Sequence, residues 1–246
     1  VLPMISNADN FKKNRNRVIE SHVRKIMRYV IDCYHLILKD GKKYDYATRG
    51  KIKQEDFLRN GLVDDYMREN INLLNDSPIN EYSIENFINK ESAESYYDAK
   101  DGLMHDDKID IKIDYPYLKL DLEDKLTHFA IECKRIKTNT DSIAYIGDTI
   151  KFSQRSYVKG RIPYEGQIGF IENPKISHSS IFPIINKKLK SNKNLTTIKD
   201  LQSEILAPNF EGSYRSLHQK SNETKDKFSV FHLLFDYSKI VLNNYD

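Results

Sequence analysis

The segment Phe129-Ala130-Ile131-Glu132-Cys133-Lys134-Arg135-Ile136 constrains this chain more than any other. With Thr127 and His128 it reads as a strand over 127–136, and successive side chains of a strand point to opposite faces. Phe129, Ile131 and Cys133 then share one face, and Ala130, Glu132, Lys134 and Ile136 share the other. A carboxylate and an ammonium project side by side from an otherwise apolar segment. Removing such charges from water is costly unless they are paired or bind a metal. The strand therefore demands partners for both groups.

A second acid is at hand. Ile109, Ile111 and Ile113 alternate with Asp110, Lys112 and Asp114, the pattern of a half-buried strand. If the two strands are neighbours, Asp110 and Glu132 converge on one cation. Mg²⁺ takes one or two protein carboxylates and keeps waters or phosphate oxygens as its other ligands. Such an ion offsets phosphate charge and lowers the pKa of bound water, while a lysine beside it orients that water or stabilises developing negative charge. The chemistry that follows is phosphodiester hydrolysis. Spacing alone decides nothing, because an acid two residues before a lysine occurs seven times in the chain. Only the pairs at 110/112 and 132/134 lie in strong strand patterns, and only the second has a strand-borne acid upstream.

Elsewhere, apolar residues at three- and four-residue steps predict helices over 14–38 and 54–74, with Gly61 interrupting the second and Ser77-Pro78 ending it. Residues 80–104 give no clear period and allow short helical fragments, with a turn at Asp101-Gly102. Helices are expected over 143–158, 179–190 and 197–206. Strands are expected over 116–122, 167–171, 214–218 and 229–235. This order predicts an α/β protein with a mixed sheet flanked by helices. The 246 residues carry 39 Lys+Arg against 36 Asp+Glu, a net charge of +3, and are 39% hydrophobic, too apolar for a disordered chain. No apolar run approaches the ~18–20 residues of a membrane span, and no basic-then-apolar leader opens the sequence. Two cysteines, Cys33 and Cys133, make neither a disulfide framework nor a four-cysteine zinc site. The expected setting is reduced and cytoplasmic, with no membrane partner. Basic clusters at Lys12, Lys13, Arg15, Arg17, Arg24, Lys25 and Arg28, and at Lys187, Lys188, Lys190 and Lys193, fit either a polyanion partner or a solvated helix face.

Asp110 followed by Glu132-Cys133-Lys134 resembles the PD-(D/E)xK signature of the restriction-endonuclease-like nuclease superfamily. Lys108-Ile109-Asp110-Ile111 is similar to the strand carrying the first Asp, although Lys108-Ile109 stands where proline is common. Further similarity to nuclease domains of bacterial anti-phage defence systems lies in Tyr157-Val158-Lys159-Gly160-Arg161, Gly166–Phe170, Tyr214–His218 and Phe231–Asp236, so the likeness covers about residues 50–240. It implies an N-terminal helical segment over 1–45 and a nuclease domain over 46–246, forming one compact unit. It also implies Mg²⁺, with Mn²⁺ as substitute, and cleavage of nucleic acid. DNA is the expected substrate and RNA the alternative. Expected protein partners are subunits of a defence complex or a second copy of the chain. The resemblance further implies an acid from an N-terminal helix, for which Glu55 leads and Asp56 and Glu20 compete. It makes the Cys133 backbone carbonyl a metal ligand, turns Gln154 and Tyr157 toward the site, and gives Lys159 and Arg161 phosphate contacts. The plain alternatives are surface acids, a packed tyrosine and helix-end charges. His218 and His232 read as structural histidines.

Two other readings compete. Arg17 with His22, and Arg28 with His35, resemble the metal-independent RNA-cleaving motif of HEPN ribonucleases, which are all-helical. A non-catalytic nucleic-acid-binding subunit is the second. A phosphate-binding loop at Gly50-Lys51 fails because position 45 is Asp, and neither a Gly-x-Ser-x-Gly elbow nor a His-Glu-x-x-His helix is present.

Overall fold

The first element, α1 (Ile5–Lys39), buries a stripe of Ile19, Val23, Ile26, Met27, Val30, Cys33 and Ile37 at helical spacing. Its end is set by Gly41, whose φ of 63° suits glycine. Lys42 N–H then donates to Ile37 O at 3.2 Å and Gly41 N–H to Leu38 O at 3.2 Å, closing the helix with a left-handed cap. The structure is a computed structural model that describes residues 5–74, 87–114, 128–158, 161–221 and 225–243, with side chains from residue 14 onward.

After the two-residue strand β1 (Tyr44–Asp45), α2 (Gln54–Asn60) passes at Gly61 into a π-helical stretch, Gly61–Met67. A Cβ on Gly61 would overlap the Tyr44 ring, so glycine is the residue that lets this ring close on the helix. Then follow β2 (Ile88–Asp98), β3 (Met104–Asp114), β4 (His128–Ile136), α3 (Ser142–Gln154), β5 (Arg155–Tyr157), β6 (Tyr164–Ile171), α4 (His178–Ser191), β7 (Thr196–Ser203), β8 (Ser213–Gln219), β9 (Lys227–Asp236) and β10 (Val241–Leu242). Eight strands form one mixed sheet in the order β5-β2-β3-β4-β6-β9-β8-β7, and β1 pairs with β10. Within this sheet β4, β6 and β9 run parallel and the other neighbours are antiparallel, while β1 and β10 pair in parallel.

Strand parity sends side chains to two apolar layers. Phe129, Ile131, Cys133, Phe231, Leu233 and Phe235 pack with α1 and α2, while Ile136, Val230 and Leu234 pack with α3 and α4. Each fully buried side chain of this size contributes about 1.5–3 kcal/mol. The N-terminal helix thus supplies one wall of the main core.

Three expectations are corrected. The helix expected over 197–206 is the edge strand β7, which pairs only with β8 and shifts register twice. Its mostly exposed residues lack the alternation that marks a strand. Where short helical fragments are expected before Asp101, the chain forms β2, whose polar Asn89–Ser95 run is held by pairing with β3 rather than by its own pattern. The helix expected to reach 158 stops at Gln154, and the chain turns extended into β5, which caps the edge of β2. The strand at 116–122 and the stop at Ser77-Pro78 lie outside the described residues.

Candidate active site

β3 and β4 are antiparallel, with Ile111 opposite Ile131. One residue beyond this last pair, Asp110 and Glu132 come close enough for the charge of Asp110 to act on the Glu132 carboxyl. The strands meet here through a side chain as well: Cys133 N–H donates to Asp110 Oδ2 at 2.8 Å. Burial first, and then the charges of Asp110 and Asp148, hold the Glu132 carboxyl well above the usual carboxylate range. Lys134 pulls it in the opposite direction and is outweighed.

Lys134 projects from the same face of β4. Its Nζ donates to Glu55 Oε1 at 3.0 Å and to Cys133 O at 2.8 Å, and it lies 3.3 Å from Asp148 Oδ2. Burial disfavours its charge, but Asp148, Glu55 and Asp110 more than offset this, so its pKa is raised and it remains an ammonium at neutral pH. Glu55 comes from the first turn of α2 and also accepts from Arg135 N–H at 3.3 Å. Its carboxyl is pushed up by burial, against the pull of Lys134.

Two residues of this cluster escaped the sequence reading. Asp148, on α3, is buried, with Oδ1 3.2 Å from Lys151 Nζ and Oδ2 lacking a hydrogen bond. Arg59, on α2, is buried and donates from Nη1 to Asp110 Oδ1 at 2.8 Å and from Nη2 to Glu91 Oε1 at 2.9 Å. A signal for Arg59 existed: it sits beside Leu58 and one turn from Leu62, so it falls within the apolar stripe of the helix, where an arginine must find carboxylates.

The other candidates divide. Asp56 pairs with Arg59 at 3.1 Å. Glu20 is held by Arg215, Arg24 and Tyr164 on α1's own side of the sheet. Of the three acids weighed, Glu55 is the one that reaches Lys134. The Cys133 side chain lies in the core and its carbonyl accepts from Lys134. Gln154 ends α3 while Tyr157 lies in β5, so they do not share a helix face. Arg161 is not presented to a phosphate. It is buried, 2.8 Å from Glu94 and 2.7 Å from Glu165, with its guanidinium carbon 3.8 Å from the centre of the Tyr157 ring. Lys159 lies outside the described residues.

His218 and His232 lie in a buried chain of hydrogen bonds. Thr197 Oγ1 donates to Leu189 O at 3.4 Å, so its only hydrogen is used and His218 Nδ1–H must donate to it. His218 Nε2 then accepts from Ser216, which accepts from His232 Nε2–H, and Tyr145 O–H donates to His232 Nδ1. Both rings are neutral, their pKa values pushed down by burial to about 4 for His218 and about 3 for His232.

Asp110 and Glu132 offer the hard oxygen donors that Mg²⁺ or Mn²⁺ prefers. Asp110, Glu132, Glu55 and Asp148 crowd together here, and the Asp148 oxygen beside Lys134 lacks a hydrogen bond, an arrangement that suits a cation. Among the described residues no group of three or more His, Cys, Asp or Glu side chains is placed to hold a metal ion. The two strand carboxylates with water form a sufficient set for Mg²⁺. No family model, no curated protein and no solved structure matches this chain.

Proposed function

We propose that this protein is a metal-dependent nuclease of the restriction-endonuclease-like fold, an endonuclease acting on DNA, with a role as an effector of anti-phage defence. The observation that carries the reading is the meeting of Asp110, Glu132, Lys134 and Glu55 from β3, β4 and α2 at one place. A mixed sheet between helix layers supports the finer fold. A divalent ion held by Asp110 and Glu132 would supply charge neutralisation at the phosphate and a more acidic water. Lys134, fixed as an ammonium by Glu55 and Asp148, donates hydrogen bonds to the attacking water or to the phosphate oxygen that gains charge. It does not act as a base, because its carboxylate neighbours hold its proton. The exposed Arg15, Arg17 and Arg28 of α1, with Lys187 of α4, supply contacts to the nucleic-acid backbone that do not depend on base sequence.

One observation favours a second reading, a non-catalytic nucleic-acid-binding subunit: Arg59 already neutralises Asp110. The all-helical ribonuclease reading sits poorly with an eight-stranded sheet packed on α1. Plasmid DNA incubated with wild type, Lys134→Ala and Asp110→Asn in Mg²⁺, Mn²⁺ or EDTA separates these readings. Cleavage by wild type should stop in EDTA and fall on the order of a hundredfold or more in each variant. Tight binding without cleavage in any metal would favour the subunit, and equal cleavage by wild type and Lys134→Ala would remove Lys134 from the chemistry.

A further inference from the structure

Arg59 is placed unusually for a helix arginine. It is buried, and its two terminal nitrogens face different carboxylates. Nη1 lies 2.8 Å from Asp110 Oδ1 and 3.1 Å from Asp56 Oδ1, and Nη2 lies 2.9 Å from Glu91 Oε1 and 3.2 Å from Asn60 Oδ1. Its partner Glu91 has a strained backbone. On β2, Lys90 pairs with Ile111 and Ser92 with Ile109, so Glu91 stands against Asp110 in the register, with φ at 49°. That is a left-handed conformation which side chains other than glycine, asparagine and aspartate rarely adopt. In this conformation Glu91 Oε1 meets Arg59, while its other oxygen lies 3.4 Å from Lys108 Nζ.

We propose that Arg59 is the resident counter-ion of Asp110, and that a divalent cation enters the site by exchange with it. The ion takes Asp110 Oδ1. Nη1 of Arg59 then keeps Asp56, and Nη2 keeps Glu91. The exchange is feasible because Arg59 loses one carboxylate of three. A buried arginine stripped of its only partner would resist such a move, whereas one left with two does not. Glu91 and Asp56 thus hold the displaced arginine, and the Arg59–Asp110 pair sets the ion concentration at which the site fills. The inference rests on the metal-site part of the nuclease reading and adds its regulation.

Mn²⁺ binding, followed by the electron paramagnetic resonance signal of the free ion in the absence of nucleic acid, tests this without any activity. Arg59→Gln should bind Mn²⁺ about tenfold or more tightly than wild type, about one decade in Kd. Glu91→Gln should bind more weakly, because Arg59 then leans harder on Asp110. Asp110→Asn should abolish the tight site in every background. Thermal melts establish that each variant is folded, and if Arg59→Gln is not, Glu91→Gln decides, since Glu91 is substantially exposed. Binding that depends on Asp110 but is unchanged in Glu91→Gln, or unchanged or weaker in Arg59→Gln, overturns the exchange and leaves the metal site standing. Binding insensitive to Asp110→Asn, or absent in wild type and in every variant, overturns both. Binding in Arg59→Gln alone supports the exchange in its strongest form.

Discussion

Ionisable side chains gather at both ends of β4, and the two groups differ. Near its start, His128 meets Glu94 at 2.8 Å, and Arg161 binds Glu94 and Glu165. Those side chains are sealed from solvent, and each carboxylate faces a cation. Near its end, Asp110, Glu132, Glu55 and Asp148 crowd around Lys134, one Asp148 oxygen lacks a hydrogen bond, and burial with the neighbouring acids raises the Glu132 pKa. This second cluster also keeps access to solvent, with Lys134 20% and Glu55 29% exposed. Burial of charge alone is therefore no sign of function. The distinguishing features are carboxylates crowded on one another and an opening through which a cation can reach them.

The largest expected effect would break the sealed cluster. Arg161→Met leaves Glu94 and Glu165 buried without their cation and should lower unfolding free energy by about 3–5 kcal/mol. Urea denaturation measures this, and Mn²⁺ binding by the folded fraction should stay at the wild-type level. A loss of stability below about 1 kcal/mol would show that the two ends of β4 do not differ as described.

A smaller effect sharpens the other half of the comparison. In metal-free protein the Glu132 carboxyl titrates above its unfolded value of about 4.3. The native state therefore keeps a proton that the unfolded chain releases. Its stabilising contribution is full below that unfolded value and is lost as pH rises toward the native one. Relative to Glu132→Gln, wild type in EDTA should lose up to about 1.4 kcal/mol per pH unit over this window. Parallel stability curves for the two proteins would refute the crowding of carboxylates around Glu132.

The smallest effect concerns the surface. Lys187 is exposed, whereas Lys190 is tied to Asp200 at 2.6 Å. If Lys187 meets phosphate, Lys187→Ala should reduce the slope of log affinity against log salt by about 1, and Lys190→Ala by less. Fluorescence anisotropy with a DNA duplex measures both slopes.

Much of the site was legible in the chain. The parity of Phe129–Ile136 and the alternation of Ile109–Ile113 sufficed to propose that Asp110 and Glu132 face one another, and the apolar period after Glu55 placed that acid at a helix start. Arg59 carried a weaker signal, an arginine inside an apolar stripe. Asp148 and Glu91 each look like an ordinary charged residue of a helix or a polar stretch, and each matters only because α3 and β2 are docked where they are. Arg161 shows the reverse error: a charge following a helix resembles a phosphate contact until Glu94 and Glu165, distant in the chain, close around it. β7 keeps no period of two because this edge strand is mostly exposed and, of its residues, Leu201 alone is buried in the core.

By itself, the order of residues determined the strand that carries Glu132 and Lys134, the long amphipathic helix over 14–38, and the mixed character of the sheet, since local periodicity follows directly from backbone geometry. Only the tertiary structure decided which charges neutralise one another. Ion pairing depends on separations of a few ångströms between residues far apart in the chain, such as Arg59 and Asp110 or Lys134 and Asp148, and no local pattern encodes those separations.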